Sequence, residues 1–505
     1  MTLTHRTAAI PTLLSLALLA LYLAFPTKVY YWDGILFAQA IEDTAAGSQM
    51  SLAHPNHLIY NFVGYYFYRL LLVLGLHLRA LTALRILNSV MSAACAAVMF
   101  AILRDTLRSL YLSACLTLLF ALSATWWKFS TDANAYIPSV FFLLVSFYLV
   151  LPNRKPAPLL AALSFFAAMC FHQLAVLAYP VFALGVYLQD GALPVKRRLW
   201  NTIAFLLCAS VLIFTAYALL FHHANGDFNV ARLLRWTVSY SPDANTRFEF
   251  WSNLGYSLRG QARLFFGGRL NLLRGLMNPA IVLLIVLLLV AVLSLILAVL
   301  RNLRALPKRW REARFERRQK IVLWLAFLWL AVYLVFLFFW LPQNTFYRLF
   351  YLPSLVLLLG GALSLFSQTD SRRSFATACF VIAVGLANFL FLIYPFSHDE
   401  KYPPLAFALQ MNREWPPGTV VYYAVRNSDE ALVRYFTPET VWKEVPSQFP
   451  AELPRGTTAW LETTAISQLS QTPAGAQWLQ AHARPESLRE LNNGAYLIRF
   501  IQVMP

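Results

Sequence analysis

The chain has 505 residues, of which 59% are hydrophobic and only 13% charged, too few charges to cover the surface of a soluble protein of this size. Its net charge of +18 does not point to nucleic acid, because the basic residues fall in short bursts between apolar runs, as cytoplasmic loops do. The cysteines, Cys95, Cys115, Cys170, Cys208 and Cys379, all lie inside apolar segments with no metal-ligand spacing, so neither a disulfide framework nor a zinc site is implied.

Apolar runs of about twenty residues, enough to cross ~30 Å of hydrocarbon, recur from residue 8 to residue 396, with 279–300 and 321–341 the plainest. The first, 8–25, follows Thr4, His5 and Arg6; it is too long for a signal peptide and has no small-x-small cleavage site, so it reads as an uncleaved span. With Arg6 in the cytoplasm this span runs outward, and the polar segment after it lies outside. The next apolar stretch, 57–77, carries Asn61, Arg69 and the tyrosines Tyr60, Tyr65, Tyr66 and Tyr68, the pattern of a helix lying in the interface. If it does not cross, Arg104, Arg108, Arg154, Lys155, Lys196 to Arg198, the basic run 301–320, and Arg372 with Arg373 all fall on the cytoplasmic side. The same layout splits the long apolar stretch 159–188 into two short helices meeting at His172 and Gln173, and gives about eleven spans.

The fold expected is therefore mostly α, a polytopic transmembrane bundle over residues 1–396, followed by a small extracytoplasmic α/β domain over 397–505. That tail opens with His398, Asp399, Glu400 and Lys401, reads as strand at 419–425 and 495–501, and places Trp442, Trp460 and Trp478 in its core rather than on a binding surface.

Polar residues that carry chemistry collect on the outer side. Asp33, in Tyr30-Tyr31-Trp32-Asp33-Gly34, follows the first span among aromatics suited to the interface; a carboxylate there can accept a proton from an incoming hydroxyl, against the plainer reading of a solvated acid opening a helix. Glu42 and Asp43 read as solvated charges or a secondary contact. In His54-Pro55-Asn56-His57 the spacing permits a metal, but no third ligand is near, and a hydrogen-bonding role fits better. Trp126-Trp127-Lys128 ends the third span, and Asp132 sits in the outer turn that follows, where the bland alternative is a capping turn with an aromatic belt. His172 lies at the same depth between two short helices. The outer loop 222–278 breaks the charge trend with Arg232, Arg235, Arg247, Arg259, Arg263, Arg269 and Arg274, as an anionic partner, a lipid phosphate or the membrane's own headgroups, would require. Arg348, preceded by Tyr347, is placed to hold a leaving phosphate.

A first span followed by an exposed Asp, an interfacial loop, a Thr-Asp turn, a His at an outer junction and Tyr-Arg before a Pro-containing span resembles the GT-C superfamily of membrane glycosyltransferases. The likeness is to protein O-mannosyltransferases and aminoarabinose-transferase-like enzymes, covers about residues 8–396 and is one of pattern. It implies a sugar donor on a polyprenyl phosphate, a lipid, glycan or protein acceptor, and inversion at the anomeric carbon in a bacterial-type inner membrane. Asp33 would be the base, and Asp132 matches an acid that several members carry in the corresponding turn. Arg348, helped by Arg259 and Arg263, would stabilise the departing phosphate, with His54, His57, His172 and Tyr347 contacting substrate. Gly34 departs from the Asp-Glu pair of protein mannosyltransferases. No cofactor is implied; a divalent metal serves some oligosaccharyltransferases of this superfamily, but their ligand sets are richer in acids. The competing class is a transporter or lipid flippase, which would show repeat symmetry and ionisable residues at mid-membrane instead of at one face.

Overall fold

The computed structural model describes residues 3–48, 52–152, 154–226, 228–239, 249–268, 315–367, 371–398, 402–425, 428–445, 458–494 and 496–504, with scattered positions between 279 and 297. Half of the apolar run 279–300 falls outside the described residues, as do most of the basic run 301–320 and Arg247, Arg269 and Arg274. By its internal contacts the chain divides into two units, one of Met1–Thr27 with Ala40–Pro395 and the other of Lys28–Gln39 with Phe396–Pro505.

The first unit is a bundle of apolar helices. Among the described residues, Ala80–Leu107, Val195–Asn225, Arg317–Trp340 and a helix beginning at Phe375 are long and apolar enough to cross a membrane. The shorter helices Ala9–Ala24, Tyr136–Leu149, Pro158–Phe171, Gln173–Leu188 and Leu352–Leu365 fall at the other expected spans. The third expected span is broken: Leu110–Ala121 and Ala124–Ser130 meet at an angle of 67°, so Trp126-Trp127-Lys128 occupies a short separate helix instead of ending a straight one. Trp126 and Trp127 are buried in protein and form no aromatic belt. In the stretch read as interfacial, the helix is Tyr60–Val73, about 21 Å long, the same length as the helices Tyr136–Leu149 and Pro158–Phe171. Tyr66, Leu70 and Val73 of this helix are exposed.

Polar contacts mark the two ends of the Ala80–Leu107 helix. Near its start, Asn88 donates to the carbonyls of Asp132 and Asn134, and Ser89 donates to Ser130 O. Near its end, Asp105 pairs with Arg154 and Arg318, beside a cavity of about 440 Å³ lined also by Arg104 and Arg108. Seventeen residues of helix, about 25 Å, separate Asn88 from Asp105, so the Asp132 turn and the basic cluster lie at opposite ends of the bundle.

In the second unit, five strands form one sheet: β1 (Val420–Tyr423), β2 (Val441–Glu444), β3 (Ala459–Glu462), β4 (Arg489–Asn492) and β5 (Leu497–Val503). The order is β2-β1-β3-β5-β4, with β1 parallel to both neighbours and β5 antiparallel to β3 and β4. Phe407, Met411, Trp415, Val421, Trp460 and Phe500 make its core, Trp442 packs against it, and Trp478 packs against a second cluster around Leu461. Tyr30 and Trp32, which the sequence presents as membrane-interface aromatics, pack on the first of these cores. Tyr30 stacks on Phe436 at 5.6 Å, and Trp32 lies 5.4 Å from the ring of Tyr496.

Candidate functional site

In the bundle, the His54-Pro55-Asn56-His57 turn is fastened to the break at His172 by backbone bonds. Gln173 N donates to Asn56 O, Ile59 N donates to Cys170 O, and Tyr217 Oη donates to Pro55 O. Pro158–Phe171 ends because His172 adopts an extended backbone, and the 3-10 helix Gln173–Ala178 begins from it. The three imidazoles meet as a result: His54 stacks on His57 with centroids 5.1 Å apart, and His57 lies 4.8 Å from His172.

Tyr136 is the hub beside them. Its ring is 4.9 Å from His172, stacks on Phe346 at 5.2 Å, and meets Tyr347 edge-on at 5.8 Å. Phe350 adds a ring 5.2 Å from His172. Sequence reasoning named His54, His57, His172 and Tyr347, and the fold brings them together. It singled out neither Tyr136, at the end of the Asp132 turn, nor Phe350. Burial holds all three imidazoles neutral, pushing His54 down to about 4, His172 down to about 3 and His57 well below the usual range, with mutual repulsion adding to the effect at His57 and His172.

Asp132 occupies a fully buried turn at the same end. Asn134 fixes that turn: its side-chain oxygen accepts from Tyr136 N and Ile137 N, opening the Tyr136–Leu149 helix, while its amide donates to the carbonyls of Phe129 and Asp132. Asp132 Oδ1 accepts from Ala133 N, and Oδ2 takes Lys128 Nζ at 2.6 Å. Lys128 also lies over the ring of Phe129, whose other neighbours are Tyr136 and Phe346. The acid is thus one half of an ion pair next to the aromatic cluster.

Arg348 follows Tyr347 in the 3-10 helix Phe346–Phe350 but uses a different set of partners. It is 1% exposed; Nη1 donates to Tyr351 Oη and Nη2 to Pro342 O, and Gly260 covers the guanidinium. No carboxylate pairs with it among the described residues. Arg259 and Arg263 lie on the exposed side of the Phe250–Phe265 helix, whose buried side is Asn253, Gly260 and Leu264. Exposed Trp251 and Leu258 share that helix, giving it mixed basic and apolar character.

Asp33 belongs to the second unit, in the first turn of the Trp32–Ala45 helix, where a carboxylate is favoured by the helix dipole. Burial pushes its carboxyl above the ordinary value, and a hydrogen bond from the Tyr31 side chain partly opposes that. Glu42, farther along the helix and in the first unit, is a structural clasp. Arg79 grips it through Nε and Nη2, and Ala80 N donates to its Oε1 at 2.8 Å, which closes the first turn of the Ala80–Leu107 helix. Among the described residues no group of three His, Cys, Asp or Glu side chains has metal-binding geometry.

No protein-family model matches the sequence, and no curated protein matches it. Solved structures do. The crystal structure of ArnT from Cupriavidus metallidurans bound to undecaprenyl phosphate aligns with a TM-score of 0.62 at 11% identity, over 98% of this chain and 97% of that one. ArnT from the same organism in the apo state aligns with a TM-score of 0.61 at 12% identity, over 99% and 98%. The chain therefore shares the fold of ArnT over nearly its whole length, a bundle of apolar helices followed by a small α/β domain.

Proposed function

We propose that the chain is a GT-C-type glycosyltransferase that moves a sugar from a polyprenyl-phosphate-linked donor to an acceptor hydroxyl at the outer face of a bacterial inner membrane. The observation that carries this reading is the full-length likeness to ArnT bound to undecaprenyl phosphate. In the proposed reaction the acceptor oxygen attacks the anomeric carbon, the bond from that carbon to the phosphate oxygen breaks with inversion, and the hydroxyl proton passes to Asp33. A carboxylate raised by burial is better matched to that task than a solvated one.

The buried charge of Arg348, which no carboxylate offsets among the described residues, favours negative charge building on the leaving phosphate, and Arg259 and Arg263 offer exposed cations for the lipid phosphate. His54, His57, His172, Tyr347 and Asp132 would contact substrate at the end of the bundle opposite the basic cluster. With that cluster cytoplasmic, the N-terminus is cytoplasmic and the C-terminal domain extracytoplasmic. The acceptor would be a lipid, glycan or protein hydroxyl, and no cofactor enters the step.

The test is consumption of polyprenyl-phosphate sugar by purified protein in detergent, where no gradient exists. Turnover in the wild type and its loss in a folded Asp33→Asn variant is the expected result. An inactive wild type across a panel of such donors would leave the transporter or flippase reading in its place.

A further inference from the structure

The end of the bundle that holds Asp105 carries more positive charge than its acids offset. Two cavities lie there, of about 440 and 380 Å³, with Asp105 and Arg318 in the walls of both. Of the ionisable residues that line them, five are cations, Arg104, Arg108, Arg154, Lys155 and Arg318, and Asp105 is the one acid among the described residues. Two further acids stand near but are engaged. Glu316 caps the Arg317–Trp340 helix and pairs with Arg108, and Asp190 accepts from Ala192 N beside Gly191, over which Arg317 lies.

Ordinary structural roles account for only part of this charge. Arg104 complements the C-terminal end of the Ala80–Leu107 helix, as the helix dipole favours, but Arg318 lies in the first turn of Arg317–Trp340, where the dipole opposes a cation. Charges that only set orientation across a membrane need no burial. The Arg318 and Arg154 side chains are nevertheless 19% and 30% exposed, and the Nε of each is buried with no hydrogen bond among the described residues. Both guanidiniums reach Oδ2 of Asp105, Arg318 at 3.4 Å, so one carboxylate serves two cations and leaves one positive charge of the trio without a counterpart. Tyr148 holds Arg154 in place, its ring centre 3.6 Å from the guanidinium carbon. Arg108 alone of the described non-glycine residues has a left-handed backbone, with φ of 56°, at a helix end where glycine is favoured. A cation is thus kept where the backbone selects against it.

An oxyanion seated by Arg154 and Arg318 would offset the remaining charge, and guanidinium forks match the oxygens of a phosphate. Apolar residues border the same cavities: Leu110 lines one and Leu149 the other, and Leu110 and Tyr111 are exposed at the start of the Leu110–Ala121 helix. A charged head joined to apolar chains satisfies both features, and basic pockets between membrane helices are suited to such headgroups. We propose that this cluster binds a phosphate group, supplied by the headgroup of an anionic phospholipid whose chains lie against the exposed start of the Leu110–Ala121 helix. The site is at the opposite end of the bundle from the Asp132 turn, and the inference does not rest on the transferase reading.

The full chain in detergent is titrated with phosphatidylglycerol, phosphatidylcholine and inorganic phosphate, with bound lipid followed by native mass spectrometry and stability by the unfolding temperature. Phosphatidylglycerol should bind about tenfold more tightly than phosphatidylcholine, whose ammonium meets the cations, and should raise the unfolding temperature. Inorganic phosphate at the same concentration should not. Arg154→Gln and Arg318→Gln should each weaken phosphatidylglycerol about tenfold. Arg108→Gly should fold at least as well as the wild type, because glycine takes the left-handed backbone freely, and should weaken it about fivefold. That variant decides the matter if the other two do not fold. Lys196→Gln with Arg197→Gln removes two exposed cations outside the cavities and should leave the affinity unchanged. Equal affinity for the two lipids, equal weakening by the Lys196 and Arg197 pair, or unchanged affinity in Arg108→Gly would reduce the cluster to general surface charge and overturn the proposal. Stabilisation by inorganic phosphate and not by the lipid would give the site to a soluble anion and overturn the lipid assignment.

Discussion

A Cβ added to Gly260 would stand 2.3 Å from Nε of Arg348, so the Phe250–Phe265 helix rests directly on the guanidinium. Arg348 cannot retreat, because it is buried and bonded at both terminal nitrogens. Gly260→Ala should therefore destabilise the protein by about 1–3 kcal/mol. Gly255, on the same helix, has open space at its Cβ position, and Gly255→Ala should be neutral or stabilising by up to about 1 kcal/mol through helix propensity. Thermal unfolding of both variants in detergent separates the close approach from a general effect of alanine. Equal behaviour of the two would show that the contact does not constrain the helix.

Lys128 and Asp132 form a second tight pair, with side-chain exposures of 16% and 0%. Breaking it from one side leaves a buried carboxylate without its cation, so Lys128→Met should cost about 3–5 kcal/mol. Neutralising the acid as well, in Lys128→Met with Asp132→Asn, should recover most of that loss. Thermal stability of the single and double variants provides the check, and a double variant as unstable as the single one would show that the charge is not the cause.

For Asp33 the expected signature is kinetic. A proton acceptor must be ionised, and burial has moved this carboxyl upward, so kcat/KM should rise with pH through the raised Asp33 pKa and level off above it. Asp33→Asn should lower turnover at least about 100-fold and abolish that acidic limb. Persistence of the limb in the residual activity of the variant would assign it to another group.

How legible these features are in the sequence depends on whether their causes are local. His172 and Gln173 interrupt a long apolar stretch, and the chain breaks there because a polar pair in such a stretch favours a junction. Tyr60–Val73 is legible as a helix, its apolar residues continuing between the tyrosines and Arg69. Tyr30 and Trp32 are not, since the aromatic pattern of a membrane interface is also that of a segment packed on a core built from Phe407, Trp460 and Phe500 far along the chain. Glu42 looks solvated until Arg79 closes on it from 37 positions away. Arg348 shows its charge in sequence but not its bonds to Tyr351 and Pro342, which depend on how a 3-10 turn aims it. The bend before Trp126 is equally hidden, because Leu122 and Ser123 are unremarkable until Ser123 takes an extended backbone. Strands β2 and β4 are four residues each and largely exposed, too short and polar for alternation to reveal them.

The C-terminal domain carries its own pH dependence at Glu462. This carboxyl ends β3 almost fully buried; its Oε2 accepts from Thr464 N and Thr464 Oγ1, while Oε1 has no partner among the described residues. Burial is the main force raising it to about 7, the Thr464 hydroxyl opposes, and Glu430, itself paired with Arg434, adds repulsion. The folded domain therefore holds this proton more tightly than the unfolded chain, whose carboxyl titrates near 4.5. Below 4.5 both states are protonated; between there and 7 the unfolded state ionises first, so stability falls as pH rises; above 7 both are ionised and the loss is complete. Its size is on the order of 3 kcal/mol. Hydrogen exchange of the Ala459–Glu462 amides, corrected for the intrinsic rate, should show protection declining from pH 5 to pH 7.5, about the window of that titration. Glu462→Gln keeps a neutral side chain at every pH, so its protection should stay level across the same range. A wild-type profile as flat as that of the variant would mean that Glu462 is already ionised throughout and that a neighbouring charge has offset its burial.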